Sequence, residues 1–249
     1  MEDTIEDPAK EQRFRVKDTI IALWLHEASN DYTNPKALYD LYTSEFEHGK
    51  GSYDYIARIG KELESQGYLT VQMDKHMKFY KTTIEGRAAL NEIHSQYEGL
   101  FKELSNVLVR IYNNLTNQSF ELVSPEDELP DELRTYFSKL ISVKDLVRYM
   151  VFNIGLNRTE FYAAEVNEQL KLRFGWHVSN GYLYDIVREM EAEGTVNGRW
   201  QDPERRTVRL IKVTDDGKIF SERVSADLLT QIKQVLKYIT SIFKFLKAQ

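Results

Sequence analysis

Five cations crowd one short stretch of the second half of the chain: Arg199, Arg205, Arg206, Arg209 and Lys212, with Asp202 and Glu204 as the acids among them. Guanidinium groups at that density suit phosphate oxygens, which they grip with paired N–H donors, and a lysine adds a point charge. Upstream, Ser179, Asn180, Tyr182 and Tyr184 open the run "SNGYLYDIVREMEAEG", with Arg188 one turn on. Hydroxyl, amide and guanidinium groups at a helix start can donate to phosphates or touch base edges. The same residues also fit a plainer role, since tyrosine is a routine core residue and hairpin charges are commonly just solvated. A weaker set lies in the first half: Ser52, Tyr53, Arg58 and Lys61, followed by Lys75 and Lys78. That set suits DNA contact, or else a role in dimerisation or partner binding.

Other chemistries fit poorly. "HGKGS" at His48–Ser52 has Gly51 directly after Lys50, where a phosphate-binding Walker loop needs Ser or Thr, and no glycine stands five residues before the Gly-Lys pair. The five histidines, His26, His48, His76, His94 and His177, fall in different predicted elements without metal-ligand spacing, and cysteine is absent. The carboxylates of "PEDELPDE" sit in a predicted linker with no cavity to shift their pKa. No enzyme, metal or cofactor is read from the sequence.

At 249 residues, 42% hydrophobic and 29% charged, the chain is long enough for two domains with cores of their own. No apolar run is long enough to span a membrane, and the acidic opening "MEDTIEDPAKEQR" does not resemble a signal peptide. A cytoplasmic, nucleoid-associated protein is the expectation. The net charge of −6 runs against nucleic-acid binding. Much of the acid, however, is concentrated at Glu2, Asp3, Glu6 and Asp7 and between Glu121 and Glu132.

The elements that must carry these residues occur twice. A constant offset lays "VKD" at Val16–Asp18 on "VKD" at Val143–Asp145, and "YIARIGKELESQGYL" on "YLYDIVREMEAEGTV". A slightly larger offset lays "KTTIEGR" on "KVTDDGK", so the second copy has the longer hairpin. Each copy predicts an apolar first helix, at Asp18–Ala28 and Asp145–Leu156. A second helix follows, capped by Asn34 with Pro35 in one copy and opening at Thr159 in the other. The third helix buries Ile56, Ile59 and Leu63, or Leu183, Ile186, Val187 and Met190, and ends at Gly67 or Gly194. Two β-like runs follow, and alternation along "TVRLIKVT" places Arg209 opposite Val208 and Leu210, away from the core.

Each copy closes with a long heptad helix. Its seam is Leu90, Ile93, Tyr97, Leu100, Leu104, Val107 and Ile111 in the first, and Leu228, Ile232, Val235, Ile239, Ile242 and Leu246 in the second. Such a seam packs on its own domain, on the other long helix, or on a second chain. The predicted fold class is mainly α with small β-hairpins: two tandem winged helix-turn-helix domains, each followed by a long helix. The boundaries read as an acidic tail at 1–12, a first domain at 13–118, an acidic linker at 119–142 and a second domain at 143–249.

The second copy resembles the PadR family of transcriptional regulators. The likeness rests on Leu183 and Tyr184 within the third helix, Glu189, Glu191 and Gly194 at its end, and Arg199 with Trp200 in the wing. Arg205, Arg206 and the Thr214, Gly217, Lys218 pattern that opens the long helix complete it. It covers 143–249, and 16–118 less closely. The resemblance implies a DNA-binding repressor dimerised through its last helix, here a homodimer or an intrachain pseudo-dimer. Some weaker relatives sense small aromatic molecules, an effector that the 12% aromatic content permits. Two departures are plain: family members carry one winged helix per chain, and the residue after Leu-Tyr, usually proline, is Asp185 here. A tandem winged-helix protein-interaction scaffold of the chromosome-segregation type and a plasmid-type replication initiator are the alternatives.

Overall fold

The computed structural model describes residues 14–46, 51–119, 121–124, 127–202, 204–205 and 208–247. The acidic tail at 1–12, His48 to Lys50, part of the linker and Arg206 lie outside the described residues. The described chain is mainly helical with two small antiparallel sheets, and it forms two compact units.

Unit 1 comprises the described residues of Met1–Lys102 and of Lys237–Gln249. It holds α1 (Val16–Asn30), α2 (Pro35–Glu45), α3 (Tyr53–Ser65), β1 (Leu69–Asp74), β2 (Met77–Thr82) and the first part of α4 (Ile84–Leu115). The Asn34–Pro35 signal works as expected: the Asn34 side-chain Oδ1 accepts from Lys36 N and Ala37 N, both at 3.0 Å, with Pro35 at the first helical position. Ile20, Leu23, Trp24, Leu38, Ile56, Ile59, Leu63 and Tyr80 form the core. Trp24 donates its indole N–H to the Ile56 carbonyl at 3.0 Å and meets Tyr80 edge-on. β1 and β2 pair from Leu69↔Thr82 to Asp74↔Met77, with Lys75 at φ 54 in the turn.

The last turns of α9 (Asp215–Leu246) also belong to unit 1. There Glu45 accepts from Ser241 Oγ at 2.8 Å and Lys244 Nζ at 3.0 Å, and the Lys244 bond holds the Glu45 carboxyl below the usual carboxylate range. Phe245 packs beside His26 and Phe46.

Unit 2 spans Glu103–Leu236. It holds the end of α4, then α5 (Asp131–Leu140), α6 (Val143–Gly155), β3 (Phe161–Tyr162), α7 (Ala164–Phe174), α8 (Asn180–Ala192), β4 (Val196–Trp200), β5 (Arg209–Val213) and most of α9. Its sheet runs β3-β5-β4, all antiparallel. The end of α4 is tied in by Asn114, whose side-chain oxygen accepts from the Tyr149 hydroxyl at 2.6 Å. Burial pushes that phenol's pKa up to about 12.

Three boundaries differ from the sequence expectation. The stretch 119–142 contains a helix, α5, because Leu133 and Phe137 stand four residues apart and share one face. Both are buried, and Phe137 lies against Trp176 with ring centroids 5.4 Å apart. The second helix of unit 2 starts at Ala164 rather than Thr159, since Phe161 and Tyr162 pair with Ile211 and Leu210 as a short strand. The units also divide within the long helices, not at the ends of 13–118 and 143–249, because the end of each long helix is buried in the unit that does not contain its start.

Several local bonds recur in both units. Ser52 caps α3 by accepting from Tyr55 N at 3.2 Å, and Ser179 caps α8 by accepting from Tyr182 N at 3.3 Å. Lys17 pairs with Glu62 at 2.6 Å, Lys144 with Glu189 at 2.5 Å. Gly67 and Gly194 end the third helices at φ 80 and 73, a left-handed conformation that glycine adopts without a Cβ penalty. Thr83 accepts from Gly86 N and Thr214 from Gly217 N, each at 3.0 Å, as the long helices begin.

Candidate nucleic-acid interface

In unit 2, Leu183, Ile186, Val187 and Met190 turn inward from α8 and are buried. The outward residues include Gly181, Tyr182, Asp185, Arg188, Glu189 and Ala192, while Tyr184 is half-buried. Ser179 is exposed, but its hydroxyl is committed to the helix cap. Asn180 is exposed and oriented by Asn167, which donates to its side-chain oxygen at 3.1 Å. Asp185 and Arg188, three residues apart, form an ion pair on the outer face of α8. The cation expected to reach DNA is therefore matched by an acid on its own helix.

The wing shows the same neutralisation. Arg199 is exposed yet holds Glu160 through two bonds, Nε at 3.1 Å and Nη2 at 2.7 Å, and those bonds keep the Glu160 carboxyl below its ordinary pKa. Arg209 is a correction. It shares a strand face with buried Ile211 and Val213, not the outer face, because alternation runs 209, 211, 213. Its guanidinium grips Glu191 at 2.5 and 2.6 Å and lies 4.9 Å over the Trp200 ring. Arg209 thus ties the hairpin to the end of α8. Arg205 is 83% exposed and approaches Asp202 at 3.9 Å. Lys212 is exposed with no carboxylate at ion-pair distance among the described residues. Arg209→Ala is expected to cost unit 2 about 2 kcal/mol, the scale of charged hydrogen bonds, seen as a lower denaturation midpoint. The salt slope of DNA binding should stay unchanged, and a fall of about one in that slope would put Arg209 on a phosphate instead.

In unit 1, Ser52 is an exposed cap and Tyr53 is exposed edge-on to Tyr39. Arg58 is exposed and lies 5.0 Å over the Tyr55 ring; Lys61 is exposed one turn on. Lys75 is exposed at the wing tip, whereas Lys78 is paired with Glu64 at 3.2 Å. The partner carboxylates Glu160 and Glu191 lie far from their arginines along the chain, so no local spacing announces them. Only the Asp185 and Arg188 spacing was readable as a helical pair.

The heptad positions are covered within the single chain. Leu90, Tyr97, Leu100, Leu104, Val107, Ile111, Leu228, Ile232, Ile239, Ile242 and Leu246 are buried, and Ile93 and Val235 are half-buried. Phe14 packs on Tyr97 and Phe101, so part of this seam is closed by the chain's own residues. An open groove beside the start of α8 is lined by Arg134, Ser142, Lys144, Trp176, His177 and Tyr182. No cluster among the described residues could hold a metal ion, and no described helix is long and apolar enough to cross a membrane.

Residues 154–223 match the transcriptional regulator PadR-like family. The match runs from the end of α6 through the wing into α9, and so takes in every unit 2 residue discussed as a DNA contact. The PadR-like family is one of winged-helix transcriptional regulators that bind DNA and usually dimerise, which supports a DNA-binding regulator at that level and does not point to an enzyme. Comparison with curated proteins finds no match.

Proposed function

We propose that the protein is a sequence-specific, double-stranded-DNA-binding transcriptional regulator that acts as a repressor, with third helices entering the major groove and wings on the backbone. The observation that carries this reading is unit 2 itself: a capped third helix followed by a wing, within a PadR-like match. We further propose that the chain is a tandem of two such units, equivalent to a family dimer in one polypeptide. The recurring caps, the Lys17–Glu62 and Lys144–Glu189 pairs, and the matched Thr83 and Thr214 bonds support it. So does the burial of the heptad positions within one chain, which leaves little seam for a second copy.

The decisive experiment is selection of duplexes from a random pool by the full chain, followed by mobility shift. Arg205→Ala with Arg206→Ala should weaken binding and lower the salt slope by up to about two, one counterion-releasing contact for each side chain. Unchanged affinity and slope would remove the wing from the interface. A second reading, a protein-interaction scaffold, is favoured by the ion-paired outer face of α8 and the net charge of −6. Failure to retain any duplex at low salt would select it. Directly repeated selected sites near an origin would instead indicate a replication initiator.

A further inference from the structure

The two third helices present different chemistry along the same line. Both are 13 residues long, and matching Tyr55 to Tyr182, Glu62 to Glu189 and Gly67 to Gly194 puts Arg58 where α8 has Asp185 and Lys61 where it has Arg188. The outward row of α3 therefore reads Asp54, Arg58, Lys61, Ser65, and that of α8 reads Gly181, Asp185, Arg188, Ala192. On α8 the two charges cancel in an ion pair. On α3 neither Arg58 nor Lys61 has a carboxylate at ion-pair distance among the described residues, and Asp54 sits in the first turn, where the helix dipole favours an acid. Nearby acids are already engaged: Glu62 by Lys17 and Glu64 by Lys78.

We propose that α3 of unit 1, which lies outside the PadR-like match, is the main major-groove reader, and that unit 2 contributes chiefly through its wing. The proposal rests on the DNA-binding reading above. Purine edges in the major groove offer the acceptors N7 and O6, which a guanidinium satisfies bidentately and a carboxylate repels. Arg58 is held over the Tyr55 ring, so its plane is partly fixed before any contact forms. Lys61, one turn on, suits a flanking phosphate. Arg188 can donate to a base only with Asp185 beside it, an acid that offsets its charge and repels the same acceptors.

The test uses the full chain and duplexes selected by it, with affinity measured by fluorescence anisotropy over a range of salt. Arg58→Ala with Lys61→Ala is expected to weaken binding more than about tenfold, relax the selected sequence at one or two positions and lower the salt slope by up to about two. Both side chains are exposed, so the unfolding midpoint should hold. Arg188→Ala should change affinity by less than about threefold, as expected for a charge already matched on its own helix. Asp185→Asn should give no gain. Equal losses from the α3 and α8 variants, or a gain from Asp185→Asn, would overturn the assignment by placing α8 in a groove. Failure of the unaltered chain to bind any duplex at low salt would instead defeat the DNA-binding reading itself.

Discussion

Replacing Gly217 with alanine is expected to destabilise unit 2 by about 3 kcal/mol, at the upper end of overpacking costs. An ideal Cβ at this position falls 2.0 Å from the Thr195 carbonyl oxygen and 3.0 Å from Val213 Cγ1. The first obstacle is backbone, fixed where Thr195 N bonds to Met190 O and Thr214 N bonds to Thr195 O. Relief would require the start of α9 to move away from the end of α8. That movement would break the Thr214 hydroxyl contacts to the Gly194 and Thr195 carbonyls, at 2.7 and 3.1 Å. For a chain of this size the loss corresponds to an unfolding midpoint about 6–12 °C lower. Gly86 is in the same position in unit 1, its Cβ falling 2.2 Å from the Tyr68 oxygen. An unchanged midpoint for Gly217→Ala would show that this junction yields easily. The Thr-x-x-Gly pattern at Thr83–Gly86 and Thr214–Gly217 thus has a structural cause: threonine caps the long helix, and glycine lets it start against a carbonyl.

Local signals were legible in the sequence and long-range pairings were not. Asn34 with Pro35 and the terminal glycines Gly67 and Gly194 each act within a few residues, so their spacing suffices. Ser52 and Ser179, expected from the sequence at a DNA contact, cap α3 and α8. The buried faces of α3 and α8 follow from three-to-four-residue periodicity. Helix α5 was hidden because acids and prolines dominate its surroundings, although Leu133 and Phe137 carry the signal. Alternation alone does not say which face of β5 is the inner one: Val208 and Leu210 are apolar yet half-buried, while Ile211 and Val213, on the face of Arg209, are buried. Which cations remain free depends on acids brought close by folding: Glu160 to Arg199, Glu191 to Arg209, Glu193 to Arg148. Counting positive charges along the chain therefore favours the wing of unit 2, while pairing in space leaves Arg58 and Lys61 of α3 without a carboxylate at ion-pair distance among the described residues.

Gly60→Val is expected to destabilise unit 1 by about 3 kcal/mol or more through overpacking, and Trp24→Val by about 3–5 kcal/mol through loss of a buried aromatic. Made together, the two changes should cost at least about 2 kcal/mol less than their sum, a coupling typical of residues in contact. A Cβ on Gly60 falls 2.6 Å from Trp24 Cζ2, so the indole occupies the space that any larger residue there would need. The aligned positions in unit 2 are Val151 and Val187, both buried, so two valines fill a site that a tryptophan and a glycine fill in unit 1. A double-mutant cycle by urea denaturation measures the coupling directly. Additive losses would mean that the indole moves aside independently. Strong coupling would mean that the indole and any side chain at position 60 compete for one space that neighbouring atoms do not enlarge.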